Sequence, residues 1–191
     1  MWRLILHNLG AFLVLFATLS GCRQEEERPF SNPIQIDQYF SIKSLIEEKL
    51  PHMDGMTLEK QLMVGNNMEQ SSEQLNPEDW RRELDIFIHA DINKASLANA
   101  YHTEESQNRI SHILKEGEKG EIKEMNVYKN KDNAIDSVTF VRKKENLFFL
   151  SFTEGSLTLE GDTLKSYRIN GLQKVWFLPR NQMQVRGTLI P

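Results

Sequence analysis

Apolar and polar positions divide this chain into three regions. In residues 36–50 the apolar side chains Tyr39, Ile42, Leu45 and Ile46, with the stem of Lys49, recur at helical spacing. Asp37 is placed to cap them and Pro51 to stop them, so a helix is predicted over 36–50. Residues 56–64 alternate instead: Met56, Leu58, Leu62 and Val64 fall on one side, with Thr57, Glu59 and Gln61 opposite. That period of two predicts a half-buried strand, closed by Gly65-Asn66-Asn67. Asn76-Pro77-Glu78-Asp79 opens a second helix, because an N-cap amide, a proline in the first turn and two acids facing the helix dipole all agree. Its apolar stripe is Trp80, Leu84, Phe87, Ile88, Ala95 and Ala98. Asp91 falls on that stripe, so either the helix breaks or a carboxylate is buried. A break is the preferred expectation, with Asp91 or Asn93 capping a further segment over 94–101.

From Arg109 onward short apolar runs alternate with turn chemistry, at residues 117–120, 130–133, 143–146, 154–155, 161–162, 170–171 and 179–182. Breaks this close together predict an antiparallel meander. Residues 147–152 and 175–178 are apolar on both faces, so part of the sheet is expected to be covered on both sides, by helices on one face and by its own curl or an apolar ligand on the other. The predicted fold is α+β: an antiparallel, curved meander of roughly seven to eight strands with two N-terminal helices packed on one face. No internal repeat is present.

The N-terminus follows a different rule. Two basic groups, the initiator amine and Arg3, precede an apolar run over 9–17 and the small residues Ser20 and Gly21. This is the layout of an export signal, too short and too interrupted by His7 and Asn8 for the roughly 20 apolar residues of a membrane span. Leu19-Ser20-Gly21-Cys22 resembles the lipobox of bacterial lipoproteins. The resemblance implies cleavage before Cys22, a diacylglycerol on its thiol and acylation of the new amine, a set of chains that does not leave the bilayer. The expected division is a signal peptide over 1–21, a lipidated acidic tether over 22–35 and a single domain over 36–191. Gln24, Glu25, Glu26 and Glu27 resemble the short export signal that follows the lipidated cysteine in Bacteroidota lipoproteins and sends them to the outer membrane. The cell surface and the periplasmic leaflet both stay open. Extended, residues 22–33 reach at most about 40 Å. Glu83-Leu84, Phe87, Asp91-Ile92-Asn93-Lys94 and Tyr167-Arg168-Ile169-Asn170-Gly171-Leu172-Gln173-Lys174 resemble a group of Bacteroidota lipoproteins. That resemblance brings no activity with it.

Charge and chemistry narrow the picture less. The chain has 23 basic and 27 acidic side chains, and loss of Arg3 with the signal takes the formal charge from −4 to −5. No cluster of Lys and Arg tracks phosphates, so nucleic acid is not an expected partner. The single cysteine allows no internal disulfide. His52, His89, His102 and His112 survive cleavage, and no two have the spacing of a zinc protease site. His89 with Asp85 or Asn93 could share a metal on a helix face, but a solvated histidine is the simpler expectation, and no metal or cofactor is expected. Glu104-Glu105 and Asp132 with Asp136 are unremarkable in so acidic a chain. No nucleophile elbow or phosphate loop occurs. Trp80, Tyr167, Trp176 and Phe177 are candidates for a binding surface, with core packing as the default for all four. Tyr101 and Tyr128 sit at expected element ends.

The functional expectation is a lipid-anchored outer-membrane lipoprotein serving as a non-catalytic binding or assembly module of the envelope, its partner another envelope protein or an apolar ligand. The alternatives are a surface-exposed hydrolase acting on glycans or peptides, and a half-barrel carrier of an apolar ligand by fold-level analogy with lipoprotein chaperones. Metabolic labelling with a clickable palmitate should mark the wild-type chain and leave Cys22→Ala unlabelled; label on both would remove the anchor.

Overall fold

The structure is a computed structural model that describes residues 34–161 and 163–191. The expected signal peptide over 1–21, Cys22 and Gln24, Glu25, Glu26 and Glu27 lie outside the described residues. Three α-helices occur among them, α1 (Ile42–Lys49), α2 (Pro77–Glu83) and α3 (Asp85–His89), with short 3-10 turns at Leu50–Met53 and Ala95–Leu97. The strands are β1 (Thr57–Val64), β2 (Asn67–Gln74), β3 (Tyr101–Ser106), β4 (Arg109–Leu114), β5 (Ile122–Lys129), β6 (Ile135–Glu145), β7 (Phe149–Glu160), β8 (Thr163–Val175) and β9 (Asn181–Ile190).

All nine pair antiparallel in one open sheet of order β2-β1-β9-β8-β7-β6-β5-β4-β3. Strands β3 to β9 form the expected meander. The β1–β2 hairpin then docks beside the last strand, with Leu58 opposite Leu189 and Leu62 opposite Val185. The α+β class and antiparallel pairing hold, but the strand count is nine rather than seven to eight, and three short helices replace two long ones. Strand β2 escaped the hydropathy pattern because all eight of its residues are exposed. It is a polar edge strand, and edges of this kind carry no apolar alternation to read.

Alternation of side chains sorts the sheet into two unlike faces. One face receives the helices and holds Leu58, Met125, Val127, Val138, Phe140, Leu157, Tyr167, Ile169, Val185 and Leu189, all buried. The other carries Gln61, Arg168, Arg186, Thr188, Ser156 and Thr139 at the intervening positions. Phe87 from α3 sits edge-on to Phe140 at 5.6 Å and to Tyr167 at 6.1 Å, measured between ring centroids. Two glycines make room for this arrangement. A Cβ on Gly155 would lie 2.2 Å from the Phe140 ring, and one on Gly187 would lie 2.1 Å from the Tyr167 ring.

That packing explains a misread turn. Glu154-Gly155 and Asn170-Gly171 were expected to break the sheet, yet both lie inside long strands, β7 and β8. Gly155 serves ring clearance rather than chain reversal. The turns expected near 117–120 and 130–133 fall between strands, whereas those at 143–146 and 179–182 overlap the end of β6 and the start of β9. Gly161 also lies between strands, and Asp162 is outside the described residues.

The first helix is shorter than its periodicity suggested, starting at Ile42 rather than 36, because tertiary polar groups claim the preceding backbone. Asn93 Oδ1 accepts from the backbone N–H of Gln38 and of Tyr39 at 3.1 and 2.9 Å, and Asn93 Nδ2 donates to the Tyr39 carbonyl at 2.9 Å. The N-cap is Ser41, not Asp37: Ser41 Oγ accepts from Ser44 N at 3.1 Å and donates to Asp91 at 2.7 Å. Asp91 also accepts from Lys43 N at 3.0 Å and from Asn93 N at 2.8 Å. So the helix breaks and the carboxylate is buried, both alternatives at once, and Asp91 caps α1 rather than a helix over 94–101. Asn76 caps α2 as expected, accepting from Glu78 N and Asp79 N.

Phe87→Ala should cost about 3–5 kcal/mol by opening a void between the two rings. Gly155→Ala should cost about 1–3 kcal/mol by overpacking Phe140. Thermal unfolding should show a fall of about 2–4 °C per kcal/mol; an unchanged Gly155→Ala melt would refute the clearance argument.

Candidate functional site

Polar chemistry gathers in three places. The first is the buried node where β3 and β4 meet residues 39–40, just ahead of α1. Phe40 N donates to His112 Nε2 at 3.2 Å, which leaves the ring proton on Nδ1, 2.9 Å from Thr103 Oγ1. Burial lowers the His112 pKa from its ordinary 6.5. A second proton at Nε2 would also face the Phe40 N–H. Tyr39 packs edge-on to both His112 and Tyr101, each at 5.4 Å. Burial, with Tyr39 beside it, raises the Tyr101 pKa, and its hydroxyl donates to the Ile122 carbonyl at 2.8 Å. His112 Nε2, Tyr101 and Tyr39 each serve a backbone partner, so this node is structural.

The second is an open hollow of about 830 Å³ between α3, residues 94–97, the β4–β5 loop and the end of β6. Its organising contact is Glu121. Arg142 Nε donates to Glu121 Oε2 at 2.8 Å and Lys144 Nζ lies 3.0 Å from Oε1. Partial burial acts to raise the Glu121 pKa, but hydrogen bonds and charge from Arg142 and Lys144 outweigh it and hold the carboxyl below its ordinary value. On the opposite wall His89 Nδ1 is hydrogen-bonded to the Asp85 backbone carbonyl at 3.0 Å and lies 3.0 Å from Asp85 Oδ1, both side chains exposed. Lys94, Lys119 and Lys123 complete a wall of mixed charge.

The third is apolar. The registers of β1 with β9, β6 with β7 and β8 with β9 place the turns of hairpins β1–β2, β6–β7 and β8–β9 at one end of the sheet. There Leu147 is 90% exposed, Phe148 62%, Trp176 74%, Phe177 81% and Leu178 51%. These turns are tightly made. Asn146 Oδ1 accepts from Phe148 N and Phe149 N at 2.8 and 3.0 Å, Trp176 N donates to the Phe148 carbonyl at 2.9 Å, and Leu178 N donates to Val175 O at 3.0 Å. The expectation that residues 147–152 and 175–178 are covered on both faces is therefore corrected. Those runs extend past the helix layer to an overhanging tip.

The other residues singled out in the sequence disperse. Trp80 and Tyr167 are core residues. Tyr167 donates its hydroxyl to Glu83, which Lys60 also meets at 2.8 Å, and burial together with Glu83 raises the Tyr167 pKa. Trp176 and Phe177 are the surface pair. His52 and His102 are exposed, with His102 3.7 Å from Glu104. Glu104 and Glu105 are exposed on opposite faces of β3, and Asp132 lies in the β5–β6 turn, where its N–H donates to Asn130. Asp136 is exposed on β6 and Tyr128 half-buried on β5. Among the described residues no three His, Cys, Asp or Glu side chains converge on a metal position, and no helix is long and apolar enough to cross a membrane. Sequence reasoning missed Glu121, Arg142 and Lys144, which meet only across paired strands. It also missed Leu147, Phe148 and Leu178, whose one local marker is apolar residues set directly against turn formers.

No family model, no curated protein and no solved structure matches the chain.

His112 ties stability to pH. Its folded pKa lies below that of the unfolded chain, so on acidification the unfolded state binds the proton first. Its contribution is intact above about 6.5 and is lost as pH falls from there through the lowered folded value. The urea midpoint should therefore fall between pH 7.5 and 5.5 by more in the wild type than in His112→Gln; equal falls would assign the acid sensitivity elsewhere.

Proposed function

We propose that the chain is a lipid-anchored lipoprotein of the outer membrane, held through Cys22, whose α+β domain is a non-catalytic binding or assembly module for another envelope protein. The hollow carries this reading. Glu121 fixes Arg142 and Lys144 side by side, and Lys94, Lys119 and Lys123 stand around them with Asp85, Glu118 and Glu145, so the wall holds charges of both signs in fixed positions against a partner's surface. The space between helices and sheet is filled. The gap bounded by Leu45, Ile46, Leu84, Leu157 and Leu164 is about 10 Å³, which favours an occupant held on the outside over an apolar one enclosed within. Irregular registers between β5 and β6 and between β7 and β8 support the curvature of the sheet, since bulges bend and twist strands. Gln24, Glu25, Glu26 and Glu27 direct the protein to the outer membrane in this reading, with either leaflet accommodated.

One observation favours a second reading. On the wall of the same hollow the Asp85 backbone carbonyl holds His89 Nδ1, with the Asp85 carboxylate 3.0 Å away, which leaves an oriented imidazole for acid–base work, and a surface hydrolase of glycans or peptides would use it.

A photo-crosslinking residue at Ser96 or Lys119, in the hollow, should trap one discrete partner in native membranes. The same residue at Ser156, on the polar face of the sheet, should not. Arg142→Glu with Lys144→Glu should cut the yield about ten-fold or more. Equal capture from both faces would sink the binding reading, whereas glycan or peptide hydrolysis that disappears in His89→Ala would replace it with the second.

A further inference from the structure

We infer that the overhanging hairpin tips form a second contact with the bilayer, made by side chains and separate from the lipid on Cys22, in which Phe148, Trp176 and Phe177 enter the interface of an anionic membrane. The tip exposes five large apolar residues on two adjacent hairpins, and Val64 and Met68 of the neighbouring β1–β2 hairpin, at the same end, are exposed as well. Backbone and Asn146 hydrogen bonds hold these residues outward, so their exposure is built into the turns. Trp settles at the level of lipid headgroups, and Phe and Leu beside it bury at the boundary between headgroups and acyl chains.

Charge identifies the occupant. Lys174 and Arg180 flank the tip and make no ion pair among the described residues, while nearby Lys143 meets Glu145 at 2.9 Å and Lys144 meets Glu121 at 3.0 Å, which leaves a basic excess there in a chain whose total is negative. A second copy would bring two basic collars together, whereas anionic headgroups complement one. The chain outside the described residues agrees with this. Ile34 is bonded to Ala95, beside the segment that lines the hollow together with residues 142–145 at the root of the β6–β7 hairpin. Only residues 22–33 separate it from Cys22, a reach of at most about 40 Å. A domain on so short a tether meets the bilayer continually, and an apolar end with a basic collar gives it a preferred orientation.

Trp176 supplies the measurement, because the only other tryptophan after residue 21 is Trp80, which is fully buried. The mature chain, from Cys22 onward, is bound to phosphatidylethanolamine–phosphatidylglycerol vesicles whose lipids carry bromine either near the headgroups or near the bilayer centre. Shallow bromine should cause about a two-fold loss of the Trp176 emission, deep bromine much less. The loss should vanish in Trp176→Phe and fall sharply in Lys174→Glu with Arg180→Glu, whose exposed positions leave the fold intact. Unquenched Trp176 on vesicle-bound protein would overturn the inference. So would shielding that persists without bromine and grows with protein density, which would give the tip to a second copy. The palmitate label reports the anchor independently, so quenching without label would sink only the lipoprotein reading, and label without quenching only this one.

Discussion

One ring seated between two others determines most of this structure. Phe87 can lie edge-on to both Phe140 and Tyr167 only because Gly155 and Gly187 leave those rings the space a Cβ would occupy. Edge-to-face aromatic contacts are geometrically selective, so this seat fixes the height and direction of α3 on the sheet. Tyr167 then reaches Glu83 at the end of α2, and Glu83 reaches Lys60 on β1. The helix layer is thereby tied to strands from both termini of the chain. Because β1 also pairs with β9, the sheet closes its sequence order at the place where the helices sit.

A second constraint is polar. The loop after α3 would leave Asp91 and Asn93 buried without solvent, and burial of such groups is tolerated only when each finds partners. They find them in the backbone of residues 38–43. The extended segment leading into α1 is thus held as firmly as a strand. What resembles a long amphipathic helix in isolation becomes a short helix with a clamped lead.

The helices cover only part of one face. The far ends of β6 to β9 run beyond them, which leaves an apolar tip with a basic collar next to a charged hollow, on a chain that is otherwise acidic. Such a distribution separates two tasks. An apolar tip suits a surface without fixed shape, and a wall with its cations held in place suits a partner of defined shape. In the proposed reading the first faces lipid and the second faces protein.

By itself the sequence determined the features that depend on neighbours along the chain. The Asn76-Pro77 cap, the β1 alternation, the meander after Arg109 and the turns near 117, 130 and 161 all follow from local backbone preference and period. The lipobox resemblance is local in the same sense. Tertiary structure alone decided the features in which one residue type has two physical uses. Gly155 could reverse the chain or clear a ring, and only Phe140 across the ladder chooses. Asp91 could break a helix or cap a distant one, and Ser41 makes it do both. Leu147, Phe148, Trp176 and Phe177 have the composition of a buried strand, but composition records the cost of leaving water and not whether another layer arrives to exclude it. That layer ends where the Phe87 seat holds it, short of the tip.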